Sequence, residues 1–476
     1  MLLLVTMLCP ILGGLLLGTC RGIPARTRRA LAVGVTLATS ALALALATKG
    51  FERFTLISYA DRFTLSFRLD HRGKALMTLM AVLWPLSTLY ATEYMAHEER
   101  ESTFYMWFLL SYGVMIPFCC AEDLFTLYIL YECVTLSTLP LVWHKKDVES
   151  IRAARTYVRY SIGCAAFGFA AMVMLGMNGS ITFLRGGQTF DGLSDKLLNA
   201  LFVTGFFGFG VKAAVFPFSR WLPKAGAAPT PVTALLHAVA VVNAGVFAVQ
   251  RLIYDVLPID RLRGGWGQAV ALVAAVLTVL YGAVMAVREH HVKRRLAWST
   301  VSNLGYMLVG AALMTTAGDA ATMLHMVCHS LTKIVLFFCV GGVMVKTGLT
   351  QVAEMRGLGR RMPLTFAAFL MASLSLMGIP PLAGFSSKFA LITAALDVGG
   401  PWALLGAGAL IVSAILTAVY TLTVALPAWF LPGEGGQVER CDPTWRMLVP
   451  IFVILALMLA AGLWPGALMD ALRNWQ

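Results

Sequence analysis

SLSLMGIPPLAGFSSKFALI, residues 373–392, interrupts a membrane-length apolar run near its centre. The surrounding run, 364–396, is too long for one straight crossing, and Gly378, Pro380, Pro381 and Gly384 break it. Proline removes a backbone donor and clashes with the preceding turn, so the run predicts two half-helices joined by unwound backbone. Unwound backbone at membrane depth is tolerated only where protein buries it or where it lines a watered cavity. Free carbonyls, the hydroxyls of Ser386 and Ser387 and then the cation Lys388 follow one another here, as an ion exit path would require.

The rest of the chain shares this solvent. Of 476 residues, 59% are hydrophobic and 13% charged, against roughly 25% charged in an ordinary soluble domain, so most of the surface must face lipid or other helices. A soluble globular enzyme is excluded. The net charge of +13 sits between apolar runs, where the positive-inside rule places it, and gives no support to nucleic-acid binding. The nine cysteines lie mostly inside apolar runs with no CxxC pair, and read as small buried hydrophobes. Met1–Cys20 lacks a basic leading segment and reads as the first membrane helix, not a cleaved signal. There is no P-loop or complete GxGxxG, so any nucleotide chemistry belongs to a partner, and no cofactor or metal site is expected in this chain.

With roughly 20 apolar residues needed per crossing, about fourteen runs emerge. They lie near 2–20, 29–48, 74–95, 103–120, 123–143, 157–177, 197–217, 231–252, 268–287, 296–316, 319–346, 364–396, 402–430 and 446–468. The fold class is therefore an all-α polytopic membrane protein. Cations gather in alternate loops: Arg21, Arg26, Arg28 and Arg29; Lys145, Lys146, Arg152 and Arg155; Arg288, Lys293, Arg294 and Arg295; Lys346, Arg356, Arg360 and Arg361. These loops are expected in the cytoplasm and both termini on the other side of a cytoplasmic (inner) membrane. The loop at 49–74 resists this assignment with Lys49, Arg53, Arg62, Arg68, Arg72 and Lys74, and alternation at Phe63, Leu65, Phe67 and Leu69 predicts a small hairpin on the outer face.

An ionisable group near the bilayer centre costs about 2.5–3.5 kcal/mol on insertion scales, so each one needs a polar interior and is a functional candidate. Glu132, in LYILYECVTLSTLPLVW (127–143), and Lys212, in GFFGFGVKAAVFPF (205–218), have uncharged neighbours on both sides. They are expected to pair, the strength of the pair setting how readily Lys212 releases its proton; pairs that only pin helices together are the structural alternative. Pro217 loosens the helix beside Lys212. His325, His329 and Lys333 stand at i, i+4 and i+8 in HMVCHSLTKIVLFF (325–338), on one helical face about a turn apart, a spacing able to hand protons along. A zinc pair at the histidines is disfavoured because Lys333 would repel the cation. His237 completes the set. Lys212 and Lys388 each lie in a Pro-interrupted span, which fits two repeats of five spans; an odd number makes the repeats inverted.

At this point the residues resemble a family. APTPVTALLHAVAVVNAGVF (Ala228–Phe247), KRRLAWSTVSNLGYMLVG (Lys293–Gly310), HSLTKIVLFF (His329–Phe338) and SLSLMGIPPLAGFSSKFALI (Ser373–Ile392) resemble, in this order, the antiporter-like subunits of respiratory complex I and of Mrp-type multisubunit cation/proton antiporters, with related subunits in membrane-bound hydrogenases. The resemblance implies a fourteen-helix core of two inverted five-helix repeats with broken seventh and twelfth helices. It divides the chain into 1–102 (three spans and the hairpin), 103–252 and 268–430 (the repeats) and 446–476 (a last span). It makes Glu132 the fifth-helix glutamate, Lys212 the seventh-helix lysine, Lys333 the central lysine of helix eleven and Lys388 the exit-side lysine of helix twelve, with His237 and His329 on the same hydrated axis. Asn243 stands where many relatives carry a lysine, so asparagine and water would bridge there. The layout is closer to the shorter antiporter-like subunits, the chain ending soon after span fourteen.

The expected function is a proton-translocating or cation/proton-antiporting membrane subunit, coupled to other membrane subunits and moving H⁺ and, through a neighbouring path, Na⁺. It would be a non-redox pump subunit of an oxidoreductase- or hydrogenase-like translocase. Rivals are a structural scaffold in such a complex, an energising subunit for inorganic-carbon uptake, and an intramembrane enzyme, which would need catalytic groups clustered at one interface instead of strung along the membrane plane.

Overall fold

The computed structural model describes residues 1–20, 22–51, 53–59, 63–432 and 440–474. Arg21 and Arg62, counted above among the loop cations, lie outside them, as do the last two residues of the 446–476 segment. The chain opens with α1 (Leu2–Thr19) and α2 (Ala25–Lys49), then pairs β1 (Phe54–Tyr59) with β2 (Phe63–Phe67). The strands run antiparallel with Phe54 opposite Phe67, so the alternation in the sequence does form a hairpin. It is tied to the start of α5 below, where Ser66 Oγ donates to Asp123 at 2.6 Å and Arg53 meets Glu122 at 2.7 Å.

Next come α3 (His71–Tyr94), α4 (Glu101–Cys119), α5 (Leu124–Val142), α6 (Val148–Asn178) and α7 (Asp195–Gly210). Then follow α8 (Trp221–Ala225), α9 (Thr230–Ala238), α10 (Val241–Arg251), which runs into a π-helical turn at Leu252–Val256, and α11 (Ile259–Leu262). The second half holds α12 (Trp266–Arg288), α13 (Val292–Ala312), α14 (Thr316–Thr347), α15 (Leu358–Arg361), α16 (Pro363–Met377), α17 (Ala383–Val398) and α18 (Gly400–Phe430). α19 (Trp445–Leu463) and α20 (Pro465–Asn474) close the described chain.

Helices dominate because lipid offers no partner to a backbone amide, so each segment must satisfy its own. Their starts are capped by side chains that accept the first free amides: Asp70 from Gly73, Asp123 from Thr126, Asp147 from Ser150, Thr315 from Gly318. Eleven helices among the described residues are long and apolar enough to cross a membrane, making this a multi-pass integral membrane protein. The runs at 197–217, 296–316 and 364–396 fall instead on the 16-residue α7, on α13 with its three leading cations, and on the pair α16 and α17.

The 32-residue α14 is the axis of the second half, buried almost along its whole length between α9, α13, α16, α17 and α19. A helix apolar on every side belongs in such a place. It is also the helix that carries His325, His329 and Lys333.

The run at 231–252 forms one span, Thr230–Val256, but not one unbroken helix: the helix stops at Ala238 and restarts at Val241. No Gly or Pro marks the break. Side chains take the carbonyl freed there: that of Ala238 accepts from Asn243 Nδ2 of α10 at 2.8 Å and from Ser330 Oγ of α14.

Candidate functional site

The breaks decide where the charges sit. α7 ends at Gly210 and Lys212 follows in irregular backbone, anchored by Trp221 Nε1 donating to the Val211 carbonyl at 2.9 Å. Gly245 of α10 lies directly on the Lys212 backbone, closer than any Cβ could allow. The fully buried Lys212 ammonium donates to the Tyr131 carbonyl of α5 and lies 3.3 Å from the centroid of the Tyr131 ring, a cation–π contact. Glu132 is the next residue on α5, yet its buried carboxylate oxygens have no hydrogen-bond partner among the described residues. The expected Glu132–Lys212 ion pair is thus not closed here, because the nearer Tyr131 carbonyl and ring hold the ammonium.

The second break is built more tightly. α16 ends at Met377, Gly378 takes the left-handed φ of 93°, and α17 restarts at Ala383. A helix end leaves carbonyls without intrahelical donors, and Lys388 Nζ supplies one: it donates to the Leu376 carbonyl at 2.6 Å and approaches that of Met377 at 3.4 Å. The same ammonium lies 5.1 Å from the Tyr306 ring centroid of α13.

Tyr306 and Ser387 carry the line onto α14. The Tyr306 ring stacks on His325 with centroids 5.4 Å apart, and His325 Nδ1 lies 3.0 Å from Ser387 Oγ. His325 and His329 stack at 6.1 Å, and Lys333, one turn on, donates to Ser299 Oγ and, at 3.1 Å, to the Leu296 carbonyl of α13. Towards the first half, Ser330 accepts from Asn243 Nδ2 at 3.1 Å, while the His237 ring lies 5.1 Å from Phe337. Both ring nitrogens of His237 and of His329, Nε2 of His325 and Oδ1 of Asn243 are buried without a hydrogen-bond partner among the described residues. The structure therefore gathers His325 and Lys388 about Tyr306, with His329 stacked on His325, and joins Asn243 to α14 through Ser330. Glu132 and Lys212 stand together at the other end.

Two cavities lie at opposite ends of the bundle. One of about 530 Å³ is lined by Asp70, Arg72 and Asp319, where α3 and α14 begin. The other, about 590 Å³, is lined by Tyr94 and Met344, where the same helices end, and by Lys145 and Lys293. Lys293 is buried and donates to the Ala228 carbonyl at 2.5 Å, immediately before α9.

Residues 121–420 match the family model described as NADH:quinone oxidoreductase/Mrp antiporter, transmembrane, a stretch that contains all eight of these residues. The chain belongs to this antiporter family. Among relatives, NADH-quinone oxidoreductase subunit N of Desulforudis audaxviator is 31% identical over 439 residues, 88% of this chain and 86% of that protein. Subunit L of the same enzyme from Mycobacterium tuberculosis is 30% identical over 423 residues, 86% of this chain but 64% of the relative. Hydrogenase-4 component B of Escherichia coli is 32% identical over 340 residues, 68% of this chain and 50% of that protein. The fold is that of chains in the archaeal membrane-bound sulfane sulfur reductase (TM-score 0.84, 22% identity, 99% of this chain and 96% of that one) and in the Mrp complex of Dietzia sp. (0.83, 20%, 100% and 96%).

In this family member, one ionic cluster went unread in the sequence. Arg251 is 1% exposed and chelated by Asp70, with one bond of 2.5 Å, and by Asp255 at 2.9 Å, while Arg72 meets Asp319 at 2.7 Å. It ties the start of α3 to the end of α10 and the start of α14 beside the first cavity. Partners 181 residues apart leave no local signal. Burial alone would raise the Asp70 carboxyl, but the Arg251 guanidinium overrides it and holds the group down at about 2. A folded value below the unfolded one, which is near 4, means the stabilisation is complete above about pH 4 and disappears as the pH falls towards 2. We expect about 2 kcal/mol to be lost across that window, read by circular dichroism of the detergent-solubilised protein. Asp70→Asn should flatten this part of the acid profile; an unchanged profile would contradict the assignment.

Proposed function

We propose that this chain is the ion-moving membrane subunit of a multisubunit complex, carrying protons, or exchanging them for a cation such as Na⁺, along Glu132, Lys212, His237, Asn243, His329, His325, Lys333 and Lys388. The observation that carries this reading is the series of buried polar atoms on Glu132, His237, Asn243, His325 and His329 that have no hydrogen-bond partner among the described residues. An unsatisfied buried polar group costs about 1–3 kcal/mol, so a fold that keeps so many along one route must supply them with water. Water threaded between lysines and imidazoles is a proton relay. Lysine and histidine titrate and do not ligate sodium, so H⁺ is favoured on this line and any Na⁺ path runs elsewhere.

The two cavities are the half-channels, one to each side, with the Lys145 and Lys293 side in the cytoplasm and both termini opposite, in a cytoplasmic (inner) membrane. Fourteen crossings fit the eleven long helices together with α7, α13 and the α16–α17 pair. Residues 1–102 and 446–476 flank two inverted five-helix repeats at 103–252 and 268–430, and in each repeat a lysine, Lys212 or Lys388, sits at a helix break. The energy comes from other membrane subunits, as relatives named for NADH–quinone oxidoreductase, hydrogenase and Na⁺/H⁺ antiporter subunits suggest.

Glu132 gates the first half: moving its charge towards or away from Lys212 decides whether that ammonium keeps its proton. Glu132→Gln keeps the size and removes the charge. In the native complex reconstituted into liposomes, it is expected to slow dye-reported proton movement about ten-fold while the subunit still assembles. Unchanged movement in an assembled complex would contradict the gate.

A further inference from the structure

A third cavity lies apart from the ion line. It is a groove of about 520 Å³ on the outside of the bundle, where α5 ends and α6 begins. Its floor is apolar, made by Leu139, Ile151, Ala154 and Val158, and its rim carries Lys146, Arg155 and Arg159. Trp143, 42% exposed, stands at the same edge. The geometry points to a built site for one anionic glycerophospholipid, its phosphate on the three cations and an acyl chain along the floor.

The cations set the charge of the ligand. Arg155 and Arg159 stand at i and i+4 on one exposed face of α6, and none of the three side chains hydrogen-bonds or ion-pairs with another described residue. The neighbouring acids are otherwise engaged: Asp147 caps α6 through Ser150, Glu98 takes Lys145 at 3.3 Å, and Glu149 lines the cavity of Lys145 and Lys293 instead. Three unpaired cations at one rim attract a phosphate. A free anion, however, would have no use for the apolar floor below them.

Depth sets the source. α6 has 31 residues, about 46 Å of helix against about 30 Å of hydrocarbon, so its first turns project beyond the core. Arg155 and Arg159 then lie at headgroup level, with their stems along apolar surface, and Trp143 has the amphipathic ring that membrane interfaces favour. This is the face of the Lys145 and Lys293 cavity, placed above in the cytoplasm, where the leaflet is negatively charged. The volume lies inside the range of about 300–1,000 Å³ usual for ligand pockets.

The test is native mass spectrometry of the complex in mild detergent, offered equal phosphatidylglycerol and phosphatidylcholine of matched acyl chains. The wild type is expected to retain one phosphatidylglycerol in preference. The double variant Arg155→Gln/Arg159→Gln, both at the surface, should reduce that preference about thirty-fold, near five-fold per cation. Val158→Trp, which fills the floor, should lose both lipids, and excess inorganic phosphate should displace neither. Equal retention of the two lipids by the wild type, an unchanged preference in the double variant, or displacement by phosphate would each overturn the proposal. So would a photoreactive residue at position 151 that captures a neighbouring polypeptide in native membranes in place of lipid.

Discussion

Lys388→Ala is expected to lower proton movement by about a hundred-fold in the reconstituted complex while leaving the subunit assembled, the lower end of what one positioned proton-transfer group supplies. The ammonium is the group that meets the freed end of α16: it donates to Leu376 and lies over Tyr306, which in turn stacks on His325. Alanine removes the titratable group and leaves two carbonyls that water can reach in the space vacated, so assembly should survive. Lys388→Arg separates charge from proton transfer. Its guanidinium can still cap the carbonyls but does not give up a proton, so the arginine variant should assemble and remain as slow as the alanine one. Full activity in Lys388→Arg would show that a fixed cation is enough.

Gly384→Val should have the second largest effect, on stability and transport together. A Cβ at this position would fall on the Ser375 carbonyl oxygen, which is backbone and cannot turn aside. The Gly384 amide donates to Ser375 Oγ at 3.2 Å, so α17 is locked onto α16 at the break. Overpacking of this kind costs about 1–3 kcal/mol or more, and it would push away Lys388, one turn along α17. We expect a lower melting midpoint and loss of proton movement. Gly408→Ala, in the open middle of α18, is the control: nothing lies near its Cβ, and helix propensity should make it neutral or stabilising by up to about 1 kcal/mol. Equal behaviour of the two variants would contradict the contact.

Much of this was legible in residue order because the bilayer imposes simple rules. Long apolar runs became helices, the alternation from Phe63 became a strand as far as Phe67, and Gly378 with Pro380 and Pro381 marked the α16–α17 break. Lys212, Lys333 and Lys388 stood out because a cation inside an apolar run is costly. What escaped depends on tertiary contact. The carbonyl freed at the break between α9 and α10, that of Ala238, is taken by Ser330, 92 residues away. In residue order Tyr131 and Tyr306 are indistinguishable from core aromatics, and only the fold places their rings beside Lys212 and Lys388. Arg251 stands at the end of an apolar run, 181 residues from its partner Asp70. The Glu132–Lys212 pair was inferred from charge alone, and charge does not reveal that the Tyr131 carbonyl lies closer.

The central claim is that both halves of the chain belong to one ion path, and Lys212, at the far end from Lys388, tests it most directly. Proton movement should be followed with a pH-sensitive dye in liposomes holding the intact native complex with Lys212→Ala, assembly being checked by subunit stoichiometry. We predict an assembled complex whose proton movement is reduced about a hundred-fold, as in Lys388→Ala. An assembled complex that moves protons at the wild-type rate would contradict the account.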